Sequence, residues 1–159
     1  MQNTDETVEP HLVKIRYIIP EGEDDGGEAE GLWSVSLGDQ LYQLQNIPFY
    51  AEHLNAEDIV FCDEPLDAQP VIQKLLQKSG NRTLRVIFRE ETSAEEAVDL
   101  VIMPLNENRI THEKMRQRYY AFNVPSEADY MWARNLLKQK DDAGLLWLYE
   151  QELVEGDSL

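Results

Sequence analysis

The sequence has no lysine or arginine between Tyr17 and Gln73, although the same stretch carries thirteen aspartates and glutamates. A nucleic-acid-binding protein needs a basic surface, so this composition argues against that class, and it also disfavours contact with an anionic membrane. The whole chain of 159 residues has a formal net charge of −17. A surface of this sign attracts cations, so we expect a basic protein as the partner, with no nucleic acid and no membrane bound.

Cysteine is almost absent as well, since Cys62 is the only one. A single cysteine excludes an internal disulfide framework and fits a reducing compartment. The first ten residues lack the basic and apolar segments of a signal peptide, and no apolar run approaches the ~20 residues that cross a bilayer. These features predict a cytoplasmic protein. Acids flank Cys62 and would raise the pKa of its thiol, so we expect an unreactive core residue.

Motifs for metal binding and catalysis are also missing. The sequence has no glycine-rich phosphate loop and no His-Glu-x-x-His pattern. Alternating carboxylates from Glu21 to Asp25 resemble the start of a calcium loop, but Leu32 stands at its twelfth position, where a bidentate glutamate belongs. Zinc sites need several ligands at short spacing. The available ligands are scattered singly: His11, His53, Cys62 and His112. We therefore predict neither a metal site nor a cofactor.

The first half of the chain shows the patterning of short strands. Residues 1–10 are polar, and we expect a disordered tail. Residues 11–78 predict a β-rich subdomain, either a curled antiparallel sheet or a partial barrel. Gly38 and Asp39 favour the turn of a hairpin. Residues 71–78 fit a short helix nearly as well as a strand, and we favour the strand because the preceding strands follow one another so closely.

The second half, residues 79–150, predicts an α+β subdomain. A capping box opens its first helix, formed by Thr92 or Ser93 with Glu95 or Glu96. One strand is expected over residues 116–124, and Ser126 is the expected cap of a second helix. The resulting β-α-β-α-β order favours a ferredoxin-like arrangement with both helices on one face of a sheet. Residues 151–159 form an acidic tail.

Three segments of the sequence, LYQLQNIPFYAEHLNAEDIVFC, SGNRTLRVIF and VPSEADY, resemble a bacterial domain-of-unknown-function family, number 4265 of that series. The most recognisable element is NIPF followed by a later Asp-x-Val. The resemblance covers roughly residues 13–150. It implies a bacterial, cytosolic protein. The family name carries no activity, so the resemblance assigns no catalytic residue.

The acidic stretch favours a non-enzymatic binding protein that masks a basic protein surface. In its sharpest form, this hypothesis describes a bacterial immunity protein, or antitoxin, that neutralises a toxin acting on nucleic acid or nucleotides. Such a toxin needs a positive cleft, which a small acidic protein can block through fast, electrostatically steered association. The predicted partner-binding residues are acids of the stretch and one tyrosine: Glu21, Glu23, Asp24, Asp25, Tyr50, Glu52, Glu57, Asp58, Asp63, Glu64 and Asp67.

Other functional classes remain open from the sequence. A small-molecule-binding regulatory domain would place a pocket between the two halves, because pockets favour domain junctions. An enzyme would use His53 as a general base oriented by Asp58. Arg82, Arg85 and Arg89 could build a platform for single-stranded nucleic acid, but the acids elsewhere oppose that interpretation.

Overall fold

The computed structural model describes residues 11–20 and 29–150 of the chain. The predicted tails, 1–10 and 151–159, lie outside these residues, as does most of the acidic loop after the first strand. The described residues form two β-sheets and two helices, which confirms the predicted α+β class.

The first sheet is a closed five-stranded barrel, more complete than the predicted curled sheet or partial barrel. Neighbouring strands are antiparallel, except that the last strand pairs in parallel with the first, where Val71 lies opposite Arg16 and closes the barrel. The predicted strand over 71–78 is confirmed. The strands are β1 Leu12–Ile18, β2 Ala29–Gly38, β3 Leu41–Leu44, β4 Ile59–Asp63 and β5 Val71–Gln77.

Alternation along the strands fills the barrel with apolar side chains. Ile15, Leu32 and Leu44 are buried there, whereas Trp33 and Leu37 on β2 point outward and are exposed. Because successive side chains of a strand face opposite sides of the sheet, each strand contributes every second residue to the core. The β2–β3 turn contains the expected Gly38 at φ 85°.

The second sheet has the strand order β7-β8-β6-β9, and all of its neighbouring strands are antiparallel. Helix α1 consists of a turn at Ala94–Ala97, a π-helical segment at Val98–Ile102 and a turn at Met103–Asn106. The other elements are β6 Arg82–Phe88, β7 Thr111–Arg116, β8 Tyr119–Val124, helix α2 Tyr130–Asp142 and β9 Leu146–Glu150.

The element order of this half is therefore β-α-β-β-α-β, and the prediction of a single strand over 116–124 is wrong. Arg116 ends β7, the chain turns through Arg118 at φ 74°, and β8 begins at Tyr119. The additional strand, THEKMR, has no apolar alternation because it lies at the edge of the sheet.

The helix starts show one correct and one wrong prediction. Ser93 caps α1 and forms a complete capping box with Glu96, as predicted. The cap of α2 is Asp129 rather than Ser126, and its carboxylate accepts a hydrogen bond from the Trp132 amide at 3.0 Å. A carboxylate placed three residues before that amide satisfies one of the unpaired donors at the helix start.

Each face of the second sheet has its own partner. Both helices cover one face, where Leu84, Val86 and Phe88 of β6 are buried in the core. The opposite face packs against the connection between β3 and β4, where Phe49 and Ala121 are buried. This contact joins the barrel to the sheet.

Candidate functional site

Exposed carboxylates gather at one end of the barrel, where the β2–β3 turn meets the end of β4. The Cys62 amide donates to the Gln40 carbonyl at 2.9 Å, and the Gln40 side-chain amide donates to the Cys62 carbonyl at 3.0 Å. These two bonds hold the turn beside the end of the strand. The surface that results, which we call the acidic barrel end, consists of Asp39, Asp63, Glu64, Leu66 and Asp67, all exposed.

The β4–β5 loop that carries most of this surface is fixed at both ends. The hydroxyl of the buried Tyr42 donates to the Glu64 carboxylate at 2.5 Å. Burial and the adjacent carboxylate raise the pKa of Tyr42 to about 12. At the other end of the loop, the Arg16 amide donates to the Pro70 carbonyl at 2.9 Å. The loop therefore presents its acids from a defined position, with the Leu66 side chain 99% exposed between them.

Two cations of the barrel wall face aromatic rings. The Lys14 ammonium lies 5.0 Å from the centre of the Trp33 ring, and the Lys74 ammonium lies 5.7 Å from the centre of the Phe61 ring. Cation–π contacts of this kind hold the ammonium groups against the barrel wall.

The predicted partner-binding residues do not form one face. Glu57 precedes β4 and Asp63 ends it, so the strand, about 13 Å long at ~3.3 Å per residue, separates them. Glu52 and Glu57 are exposed at the end of the barrel that contacts the second sheet. Tyr50 is half-buried at the same junction, where its hydroxyl accepts a hydrogen bond from Arg116. Four predicted residues lie outside the described part of the chain: Glu21, Glu23, Asp24 and Asp25.

Asp58 is not a surface residue, so its predicted role in partner binding is wrong. Its side chain is fully buried, and its two oxygens accept hydrogen bonds from the backbone amides of Asn55 and Ser79, both at 2.8 Å. Burial raises its pKa, although these hydrogen bonds oppose the shift. Because backbone amides bond both Asp58 oxygens, the structure gives no support to Asp58 as the partner of His53, whose ring lies against Tyr17 with ring centres 5.6 Å apart.

Sequence reasoning missed a network of three charged side chains, two buried and one half-buried, at the junction between barrel and sheet. Glu30 is its first member. The Glu30 carboxylate accepts hydrogen bonds from three consecutive amides, those of Phe49, Tyr50 and Ala51, at 2.7, 2.9 and 3.1 Å. The carboxylate therefore accepts the hydrogen bonds of amides that have no partner in a strand or helix.

Arg85 is the second member of the junction network and is only 3% exposed. Two of its guanidinium nitrogens, Nε and Nη2, donate to the Pro48 carbonyl at 3.1 and 2.7 Å. Burial lowers the pKa of Arg85, and the nearby Tyr119, Glu52 and Glu30 oppose that shift. This location separates it from Arg82 and Arg89, so the three arginines form no common platform.

Glu113 of β7 completes the network from the sheet side. Its carboxylate accepts hydrogen bonds from the Ile47 amide at 2.9 Å and from the Asn46 side-chain amide at 3.4 Å. Burial raises its pKa. The three charged residues thus hold the segment 46–51, which contains the NIPF motif, between barrel and sheet. That motif was the only sequence signal for this region, and it did not identify the charges that bind it.

The remaining candidates are the Cys62 thiol and the possible metal ligands. Cys62 is fully buried, and burial together with Glu64 raises the pKa of its thiol to about 12, as expected for an unreactive core residue. Across residues 11–20 and 29–150, no group of three or more His, Cys, Asp or Glu is placed to hold a metal ion. In the same ranges, no helix has the length and apolar character to cross a membrane.

A cleft of about 540 Å³ lies within the second half, between the end of α1 and the start of α2. It is lined by Arg109, Trp132 and several acids. The junction between the halves, where the sequence predicted a pocket, is instead occupied by Ile47, Phe49 and Ala121. The rings of Phe49 and Tyr119 pack there edge to face, with centres 4.9 Å apart.

Comparison with known proteins identifies the fold and the family. A crystal structure described as a hypothetical protein from Neisseria gonorrhoeae is similar to this chain, with a TM-score of 0.70 and 18% sequence identity. The similarity covers 92% of this chain and 96% of that one. No curated protein matches the sequence. The model of a family described as "Domain of unknown function (DUF4265)" matches residues 30–147. Because this match covers most of the chain, the protein belongs to the DUF4265 family.

Proposed function

We propose that the protein is a non-enzymatic binding protein whose acidic barrel end holds a basic surface of another protein. The observation that carries this proposal is the clustering of four exposed carboxylates around a fully exposed leucine on a loop fixed at both ends. A preformed loop loses little conformational entropy when it binds, and complementary charge guides a cationic partner to it.

The sharpest form of the proposal is an immunity protein that neutralises a toxin acting on nucleic acid or nucleotides. Such a toxin needs a cationic cleft for its substrate, and the acidic barrel end has the opposite charge. Electrostatic steering makes association fast at low ionic strength. The cytoplasmic location that the single cysteine favours belongs to the same proposal.

Capture experiments with matched charge variants test the proposal. The test variant carries Asp63→Asn, Glu64→Gln and Asp67→Asn at the acidic barrel end. The control carries three equivalent changes at exposed positions at or near the start of α1: Glu91→Gln, Glu95→Gln and Asp99→Asn. Both variants have the same net charge, so a difference between them reports the location of the charge rather than its total.

We expect wild type and control to retain the same basic protein from a bacterial lysate, and the test variant to lose it. The affinity of the purified pair should fall at least about tenfold between low and high salt, because screening weakens steering and charge contacts. Equal retention by the two variants would contradict the proposal, as would an affinity that does not change with salt.

The alternative of a small-molecule pocket at the junction receives no support from the geometry, because apolar side chains and the charged residues Glu30, Arg85 and Glu113 occupy that space. We also infer that the second half adopts the ferredoxin-like arrangement. Its β-α-β-β-α-β order, its antiparallel strand order and the placement of both helices on one face support this inference. An experimental structure that placed a helix on each face would exclude it.

A further inference from the structure

The second sheet has free edges, which the closed barrel lacks, and β9 forms one of them. A closed barrel has no free edge, whereas the four-stranded sheet ends in β9 on one side and β7 on the other. An edge strand presents unpaired N–H and C=O groups that can pair with another chain. The described residues of β9 read Leu-Trp-Leu-Tyr before Glu150, with Trp147 and Tyr149 exposed.

The hydrogen bonds of β6 show which β9 groups point away from the sheet. The Arg89 amide donates to Leu145 of the segment leading into β9, whereas the Phe88 amide donates to Arg118 on the β8 side. Odd-numbered residues of β6 therefore bond toward β9. Their partners in the register are Trp147 and Tyr149, so the backbone N–H and C=O groups of these two residues point toward β6. The backbone groups of Leu146 and Leu148 lie between them and point outward.

The outward amide of Leu148 is occupied. The Asp141 carboxylate, near the end of α2, accepts a hydrogen bond from it at 2.9 Å. A carboxylate there takes the donor that a neighbouring strand would need, and its charge opposes the approach of the same group from another molecule. The β7 edge differs, because it carries Glu113, Lys114 and Arg116 together with an irregularity in its register.

We infer that Asp141 is an edge guard, whose carboxylate prevents β9 from pairing with β9 of a second copy of this chain. A second copy is the occupant that this edge fits, because antiparallel pairing of two identical strands about a two-fold axis at Leu148 places Trp147 of each copy opposite Tyr149 of the other, and aromatic cross-strand pairs stabilise a sheet. Such a pair extends the four-stranded sheet to eight strands. Neither the acidic barrel end nor the proposed function enters this inference.

Removal of the carboxylate tests the inference with purified full-length protein. Asp141→Ala leaves the Leu148 amide without an acceptor, and we expect its self-association constant in sedimentation equilibrium to rise at least about tenfold. The matched control is Asp142→Ala, which removes the same charge from an exposed neighbour. Asp141→Asn keeps an acceptor oxygen but loses the charge, so its association constant should lie between those of the wild type and Asp141→Ala.

A further change shows whether association uses this edge. In the Asp141→Ala background, Tyr149→Lys places like charges close together in the paired strands and should restore the wild-type association constant. If Asp141→Ala does not fold, Asp141→Ser replaces it, since serine is too short to reach the Leu148 amide. A folded Asp141→Ala or Asp141→Ser protein that sediments as Asp142→Ala does would overturn the inference, and the Asp141 contact would then only stabilise the local turn after α2. Association that persists after Tyr149→Lys would overturn it as well.

Discussion

The acidic barrel end and the junction use the same kinds of side chain in opposite ways. At the barrel end, carboxylates face water, and the Glu64 carboxylate also accepts a hydrogen bond from the Tyr42 hydroxyl. At the junction, Glu30 and Arg85 are buried and Glu113 is half-buried, and all three bind backbone groups of the segment 46–51. The hydrogen bonds of these side chains satisfy backbone groups that have no partner in a strand or helix, whereas a solvated charge on a fixed loop remains available to a partner.

The largest loss of stability among the variants considered should come from removing the Glu30 carboxylate. Glu30→Ala leaves three amides, two of them buried, without their acceptor, so we expect the free energy of unfolding to fall by about 3 kcal/mol or more. The control, Asp63→Ala, removes a carboxylate from the acidic barrel end and should change stability by no more than ~0.5 kcal/mol. Urea denaturation measures both. A loss below ~1 kcal/mol for Glu30→Ala would show that the junction does not depend on this charge.

Two adjacent acids provide the next test, because Glu57 and Asp58 look alike in the sequence. Asparagine has only one side-chain oxygen, so in Asp58→Asn its NH₂ group faces one of the two backbone N–H groups that Asp58 binds, and that N–H loses its acceptor. About 2 kcal/mol of stability should be lost. Glu57→Gln changes an exposed side chain and should have almost no effect. Urea denaturation curves with equal losses for the two variants would contradict the buried position of Asp58.

Patterns that depend on local chemistry were readable from the sequence. The patterning of short strands predicted the strands before β5, their close spacing favoured β5 as a strand, and the spacing of Ser93 and Glu96 predicted the start of α1. Strand β7 was missed because an edge strand buries little and needs no alternation. The cap of α2 was misplaced because Ser126 and Asp129 are both suitable capping residues, and only the tertiary structure decides where the helix begins.

The location of individual charges was not readable in the same way. Burial of Asp58 depends on the position of Ser79, which is distant in the sequence and comes beside it only after β4 and β5 pair. Glu30 likewise meets its amides across nineteen to twenty-one residues. Composition can therefore predict that the barrel is acidic, but not which of its acids bind the backbone.

The pH dependence of stability should separate Glu113 from the exposed acids. Burial raises the pKa of Glu113 above its ordinary value of 4.5, so the folded state holds its proton more strongly than the unfolded state does. The stability from this group is complete below pH 4.5 and is lost as pH rises through the raised value. We expect wild type to lose stability relative to Glu113→Gln over that interval. Urea titrations at a series of pH values measure the difference, and Glu107→Gln, at an exposed position, serves as the control. A constant difference between wild type and Glu113→Gln would show that Glu113 titrates as it does in water.

The smallest effect on stability should come from the acidic barrel end, although its effect on binding should be large. Asp63, Glu64 and Asp67 repel one another, so changing all three to amides should raise the free energy of unfolding by no more than ~0.5 kcal/mol at low salt. Screening removes that repulsion, so the gain should disappear at high salt. Urea denaturation of wild type and variant at two ionic strengths measures this. A clear loss of stability would place these acids with Glu30 as structural charges and would remove the reason to regard them as a surface kept for a partner.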